Sequence, residues 1–128
     1  MKYCHLYADA DGVSHIEDKE LSSSKLDFMP PAPPVQISTT QSVENLILMR
    51  VPADWEETDR HPAPASQWVF ILQGQIDFIA SDGNSRVLGP GGILLAEDTT
   101  GEGHTSRIHG NTDALLTVVK KKHNSHRA

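Results

Sequence analysis

Much is missing from this chain, and each absence narrows what it can be. A single cysteine, Cys4, stands among 128 residues. No intramolecular disulfide can form, which suits a reducing compartment. The start, MKYCHLYADADG, has no apolar core of signal-peptide type, and no apolar run reaches membrane-spanning length. A cytoplasmic protein with no membrane partner is the expectation. Positive charge is short overall: net charge is −6. The four basic residues Lys120, Lys121, Lys122 and Arg127 all lie in the last nine, so residues 1–119 hold 11 − 4 = 7 basic against 17 acidic, or −10. Such a surface argues against nucleic acid as a partner. There is no internal repeat, no nucleophile motif, no phosphate-cradling glycine loop and no zinc-finger cysteine pattern. Ten-residue stretches with a 3.6-residue apolar period are also lacking, so helix is a minor component at best.

What is present is a set of short apolar runs closed by turns. WVFIL precedes Gln73-Gly74, IDFIA precedes Asp82-Gly83-Asn84, and Gly89-Pro90-Gly91-Gly92 leads into ILLAE. Proline presets φ and glycine supplies positive φ at such turns. Strands of about five residues at this spacing predict an antiparallel all-β sandwich or barrel. Within one domain of this length, three regions separate: an N-terminal arm over residues 1–42, a barrel over 43–119 and a flexible basic tail over 120–128. In the arm, Lys2 to Ala8 reads as an edge strand, followed by an acidic, serine-rich connection. His5 and His15 there read as solvated or backbone-bonded. Pro30, Pro31, Pro33 and Pro34 favour extended geometry and read as a stiff strap over the barrel, an SH3-type ligand being the alternative. Ser42 to Val51 is apolar on both faces mid-strand and is expected to be covered on both sides. The final strand, Asp113 to Val119, precedes KKKHNSHRA, where His123 and His126 read as tail rather than ligands.

Chemistry-bearing residues concentrate between Asp59 and His109. Pro62 and Pro64 hold His61 in rigid, extended backbone. Gln67 opens QWVFIL on the face of Val69 and Ile71, where a buried amide needs a metal or a hydrogen bond unless it lies exposed at the strand end. His104, Ser106 and Ile108 share one face of their strand, and His109 takes the other. Asp59 is the best local candidate for a further ligand by parity. Glu97 and Asp98 stand near His104 as a candidate acid, base or supporting partner, or as solvated loop-end carboxylates. Arg50 could meet a substrate carboxylate if it reaches a barrel mouth; otherwise it snorkels or pairs with Asp54, Glu56 or Glu57.

These residues, in this order with these turns, resemble a small single-domain cupin over residues 43–119. The family's first motif, HxH with a later Glu or Gln and a glycine, matches His61, Gln67 and Gly74. Its second motif, a glycine turn and a histidine, matches Gly101 and His104, with Thr99 in place of the proline. Ala63 departs from the pattern, standing where the second histidine of HxH would be. The resemblance implies a double-stranded β-helix, or jelly-roll barrel, with His61, Gln67 and His104 holding one divalent metal ion (zinc, iron, nickel or manganese). Three neutral ligands leave the ion's charge to water, hydroxide or an anionic substrate. It further implies a metal-assisted lyase, isomerase or oxygenase acting on a small polar or anionic molecule. A metal-free small-molecule binder and a structural or oligomerisation module with a vestigial pocket remain as alternatives. A homodimer is expected, with Trp68 or Phe70 at its interface, because Trp68, Phe70 and Leu72 form an apolar row outside the strand.

Overall fold

The computed structural model describes residues 1–122, in eleven strands and, among those residues, no helix. In chain order they are β1 (Lys2–Ala8), β2 (Ser14–Glu20), β3 (Ser23–Leu26), β4 (Val35–Ser38), β5 (Val43–Val51), β6 (Gln67–Gln73), β7 (Ile76–Ala80), β8 (Ser85–Leu88), β9 (Ile93–Glu97), β10 (His104–Ile108) and β11 (Ala114–Lys121). No helix is long and apolar enough to cross a membrane. Strands β2-β1-β9-β6-β11-β5 make a six-stranded sheet, β10-β7-β8 a three-stranded one, and β3-β4 a separate hairpin. Only β1 and β9 pair in parallel.

The all-β expectation holds, and its cause is the period-two alternation. In β6, Val69 and Ile71 turn inward opposite Val118 and Leu116 of β11, and Val69 also faces Leu94 of β9. These five side chains are buried against Ile76, Phe78 and Ala80 of β7 and Ile108 of β10. Each large aliphatic so buried stabilises the fold by about 1.5–3 kcal/mol. The two sheets therefore face each other across one core. They do not close into a barrel: the large sheet ends at β2 and β5, the small one at β10 and β8. Closure is incomplete where the connection over residues 52–66 meets β10 through isolated bridges, Glu56 to Arg107 and His61 to His104, and the bonds Ser106 donates to Glu57, without a continuous ladder.

Several expectations about the flanks need correction. Lys2–Ala8 is not an edge strand; it lies between β2 and β9, because Cys4 and Leu6 alternate into the core. The supposed connection after it contains β2, whose Ser14 and Ile16 are buried. The proline run turns the β3–β4 hairpin and is solvent-exposed throughout among the described residues. Strand β5, the last strand of its sheet, is exposed from Val43 to Arg50, although Met49 and Val51 line the space between the sheets. At the other end, Lys120 and Lys121 still belong to β11, where Lys120 Nζ lies 3.2 Å from Glu44. His123 and His126 fall outside the described residues.

The sheets are cross-linked near Ser14, which is fully buried. Its hydroxyl donates to the Gly103 carbonyl at 2.7 Å and accepts from the Ser81 amide at 2.7 Å. Beside it, His15 of β2 bridges two carboxylates, with Nε2 2.7 Å from Asp9 and Nδ1 2.9 Å from Asp82 in the β7–β8 turn. The hydrogen bond to Asp9 is the main cause that raises the His15 pKa above its ordinary 6.5, and partial desolvation opposes it. Asp9 in turn is held below its ordinary range, chiefly by His15. A raised histidine pKa contributes stability that is complete below the unfolded value and is lost as pH rises through the folded one. A lowered aspartate contributes stability present above its unfolded value and lost on acidification. The bridge is therefore strongest between these limits, above about pH 4 and below the raised His15 value. An NMR titration should find His15 changing charge above pH 6.5, and His15→Gln should return the Asp9 midpoint toward 3.8. A His15 midpoint at or below 6.5 would mean the bridge does not hold a proton in solution.

Candidate metal centre

Between the two sheets lies a cavity of about 250 Å³, walled mostly by aliphatic side chains and Phe78. Its polar lining consists of Glu57, His61, Gln67, His104 and Ser106. His61 and His104 reach it together because their backbones form an antiparallel pair, exchanging N–H···O bonds of 3.1 and 3.0 Å. Directly opposed residues put their side chains on one face, and here the two imidazole centroids lie 5.0 Å apart. Gly103 makes this approach possible. It has φ of +75°, and a Cβ there would fall 2.1 Å from the His61 carbonyl carbon and oxygen. No other residue fits.

Hydrogen bonds orient both rings. The Pro62 carbonyl can only accept, so His61 donates from Nδ1, at 3.0 Å, and turns Nε2 toward the Glu57 carboxylate in close contact. His104 directs Nδ1 at Asp98 Oδ2, 2.6 Å away, leaving Nε2 for the cavity. Asp98 is fully buried and lies behind His104. The other Glu57 oxygen accepts from both the Ser106 amide and hydroxyl at 2.7 Å. Ligand atoms of Glu57, His61 and His104 all lie within 4.8 Å of one another, so the three could hold a metal ion. An ion about 2.0–2.2 Å from each donor needs separations below about 4.4 Å, a small closing movement. The donor set also fits chemically. With Nδ1–H committed to a carbonyl, a lone pair on His61 Nε2 faces a carboxylate, and only a cation between them is favourable. Burial works to lower the His61 pKa, but the Pro62 carbonyl and the Glu57 carboxylate outweigh it and the net shift is upward. The proton is one such cation, and a divalent metal is another.

Of the residues singled out from sequence, His61 and His104 meet and Gln67 lines the same cavity. Asp98 joins them as the partner of His104. Glu97 does not: parity on β9 sends it to the opposite face, where it bonds His5, Ser66 and Lys121. Arg50 is exposed on the outer face of β5, away from the cavity, whereas Met49 and Val51 line it. His109 is exposed, as its parity predicted. Ala63 is 3 % exposed and lines the cavity with a methyl group where the cupin pattern has imidazole.

Glu57 is the residue that sequence reasoning missed, and the cause is a bulge. From Glu56 to His61 the loop takes five steps (61 − 56) while β10 takes three (107 − 104) between the same bridges. The two extra residues are thrown outward, which leaves Asp59 exposed despite its parity and keeps Glu57 turned in. Period-two counting fails wherever a ladder is interrupted. The available signal was a carboxylate four residues before His61 in a chain segment running beside β10.

Gly103→Ala tests how far the site depends on that close approach. The variant should lose at least about 2 kcal/mol, since it combines positive φ with a backbone clash, and should unfold at lower denaturant concentration. A midpoint equal to wild type would show that His61 and His104 are not held by this contact.

No family model matches the chain, and no curated protein matches it. A solved structure, that of protein NMB1881 from Neisseria meningitidis, is similar at 15% sequence identity with a TM-score of 0.46, over 65% of this chain and 83% of that one. A likeness this distant carries no weight for the site.

Proposed function

We propose that this chain is a cupin-like protein whose Glu57, His61 and His104 hold one divalent metal ion in the intersheet cavity, and that it binds or acts on a small molecule with a polar or anionic end. The observation that carries this reading is the convergence of those three donors in a cavity, with buried Asp98 fixing the ring of His104. Histidine ligands commonly donate their second N–H to a carboxylate, which orients the ring and raises its basicity. Glu57 supplies the negative charge that His61, Gln67 and His104 lack. Gln67 is the further donor at hand, through its amide oxygen. Imidazole with carboxylate suits zinc, iron, nickel or manganese. The facing-sheet architecture and the order of turns support a jelly-roll relationship, and the lone, buried Cys4 suits a cytoplasmic setting.

A bound divalent ion would supply Lewis acidity toward a carbonyl, a carboxylate or water. The chain's own residues set what can reach it. The walls from Val69, Phe78, Leu94 and Leu116 exclude water and accept a compact apolar group. At about 250 Å³ the cavity is smaller than the usual range for drug-sized ligands, so the substrate is small. Ser106 fixes one Glu57 oxygen and leaves the other directed at His61. With a raised pKa, His61 is placed to hold a proton against Glu57 when no metal is present. That favours a metal-free binder as the second reading, in which imidazolium and carboxylate would receive a polar ligand.

Metal analysis of protein purified without a histidine tag separates the two. About one equivalent of metal per chain is expected, falling at least tenfold in His61→Ala and His104→Ala and unchanged in His109→Ala. Asp98→Asn should weaken metal affinity by about 10–100-fold, the usual effect of losing such a supporting carboxylate. If the wild type carries no metal and takes up none from millimolar zinc, manganese, nickel or ferrous iron, the metal reading is wrong and the proton-bridged one stands.

A further inference from the structure

Strand β5 is the most exposed apolar element in the described chain. It pairs with β11 on one side, and among the described residues no strand pairs with its other edge. Leu46 is 59 % exposed, Ile47 49 %, Leu48 67 % and Met49 40 %. Leu46, Leu48 and Arg50 share one face of the strand, Ile47 and Met49 the other. A long, apolar, unprotected edge is a template for pairing with another strand. The outward row on β6 is a weaker interface candidate, because Trp68 is buried within its own chain by Tyr3, 5.3 Å between centroids, and its N–H donates to Gln41 at 2.8 Å.

We propose that the free edge of β5 is the interface to a second copy of this chain, two β5 strands pairing antiparallel about a two-fold axis at Ile47. The strand is self-complementary in that register. Paired positions then sum to 94, so Glu44 faces Arg50, Leu46 faces Leu48, and Ile47 meets its own symmetry mate. A two-fold axis normal to the sheet keeps each residue on its own face, so the centre can lie only on a residue. Moving it to Leu46 sets Glu44 against Leu48, and moving it to Leu48 sets Arg50 against Leu46; the axis at Ile47 pairs opposite charges at both ends. Cross-strand pairs of opposite charge and of aliphatics are the ones that stabilise a ladder. Within its own chain Glu44 already lies 3.2 Å from Lys120 Nζ. The pairing joins two six-stranded sheets into one of twelve (6 + 6).

The test is cross-linking with defined register. Wild-type protein should sediment at twice the chain mass at micromolar concentration. Opposed residues in an antiparallel pair lie about 4.5–5.5 Å apart at Cα, within disulfide reach. Ile47→Cys should therefore oxidise almost completely to a covalent dimer, the native Cys4 being buried. Leu48→Cys sits about 8 Å from its own mate in this register, and should cross-link at least fivefold less. Arg50→Glu should weaken the dimer at least tenfold, and Glu44→Lys combined with Arg50→Glu should restore it, with circular dichroism confirming the fold of each. A wild-type monomer at tens of micromolar overturns the proposal. So does a dimer in which Ile47→Cys stays unlinked, or one in which Leu48→Cys links equally well.

Discussion

The site depends on one short backbone pairing, the two hydrogen bonds between His61 and His104. Glu57, Asp98 and Ser106 are all gathered around it. A loop of fifteen residues (52 to 66) that makes almost no ladder would ordinarily wander. Pro62 and Pro64 limit its backbone, and the bare Cα of Gly103 lets it close on β10 at a distance no side chain would allow. The same stretch of β10 is tied to the other sheet through the Ser14 hydroxyl on the Gly103 carbonyl. A shift of β2 against the small sheet would thus be felt directly at the imidazoles.

The charged groups in and behind the cavity pair carboxylate with imidazole. Asp98 is fully buried and Glu57 partly so, and each faces a histidine nitrogen. A buried carboxylate is costly unless paired, and imidazole is the partner that can accept either a proton or a metal in the same place. Ala63 takes on meaning in that setting. This chain presents a methyl group to the cavity at Ala63, and the carboxylate that lines the same cavity comes from Glu57.

The apolar surface divides in an unusual way. The inward faces of β6, β7, β9 and β11 are buried as alternation requires, yet β5, among the most apolar strands, is left open. Burial of aliphatic surface is the dominant favourable term in folding and in association alike. Strand β5 thus has the composition of a core strand at the position of an edge.

The sequence by itself determined the all-β class, the turns at Gly74, Asp82 to Asn84 and Gly89 to Gly92, and the inward faces of β6 and β10, because all of these follow from local φ preferences and period-two alternation. It also singled out His61 and His104 as a pair and placed His109 outside. Only the tertiary structure decided the rest. Glu57 rather than Asp59 faces the cavity because the loop's two-residue excess over β10 carries Asp59 outward while Glu57 keeps the parity of His61. Glu97 and Asp98, adjacent in sequence, part to opposite faces because the chain is still extended there, so only Asp98 meets His104. Strand β1 lies inside the sheet rather than at its edge because β9 pairs with it across 90 residues (94 − 4). Contacts at that separation are chosen by packing, and no local pattern encodes them.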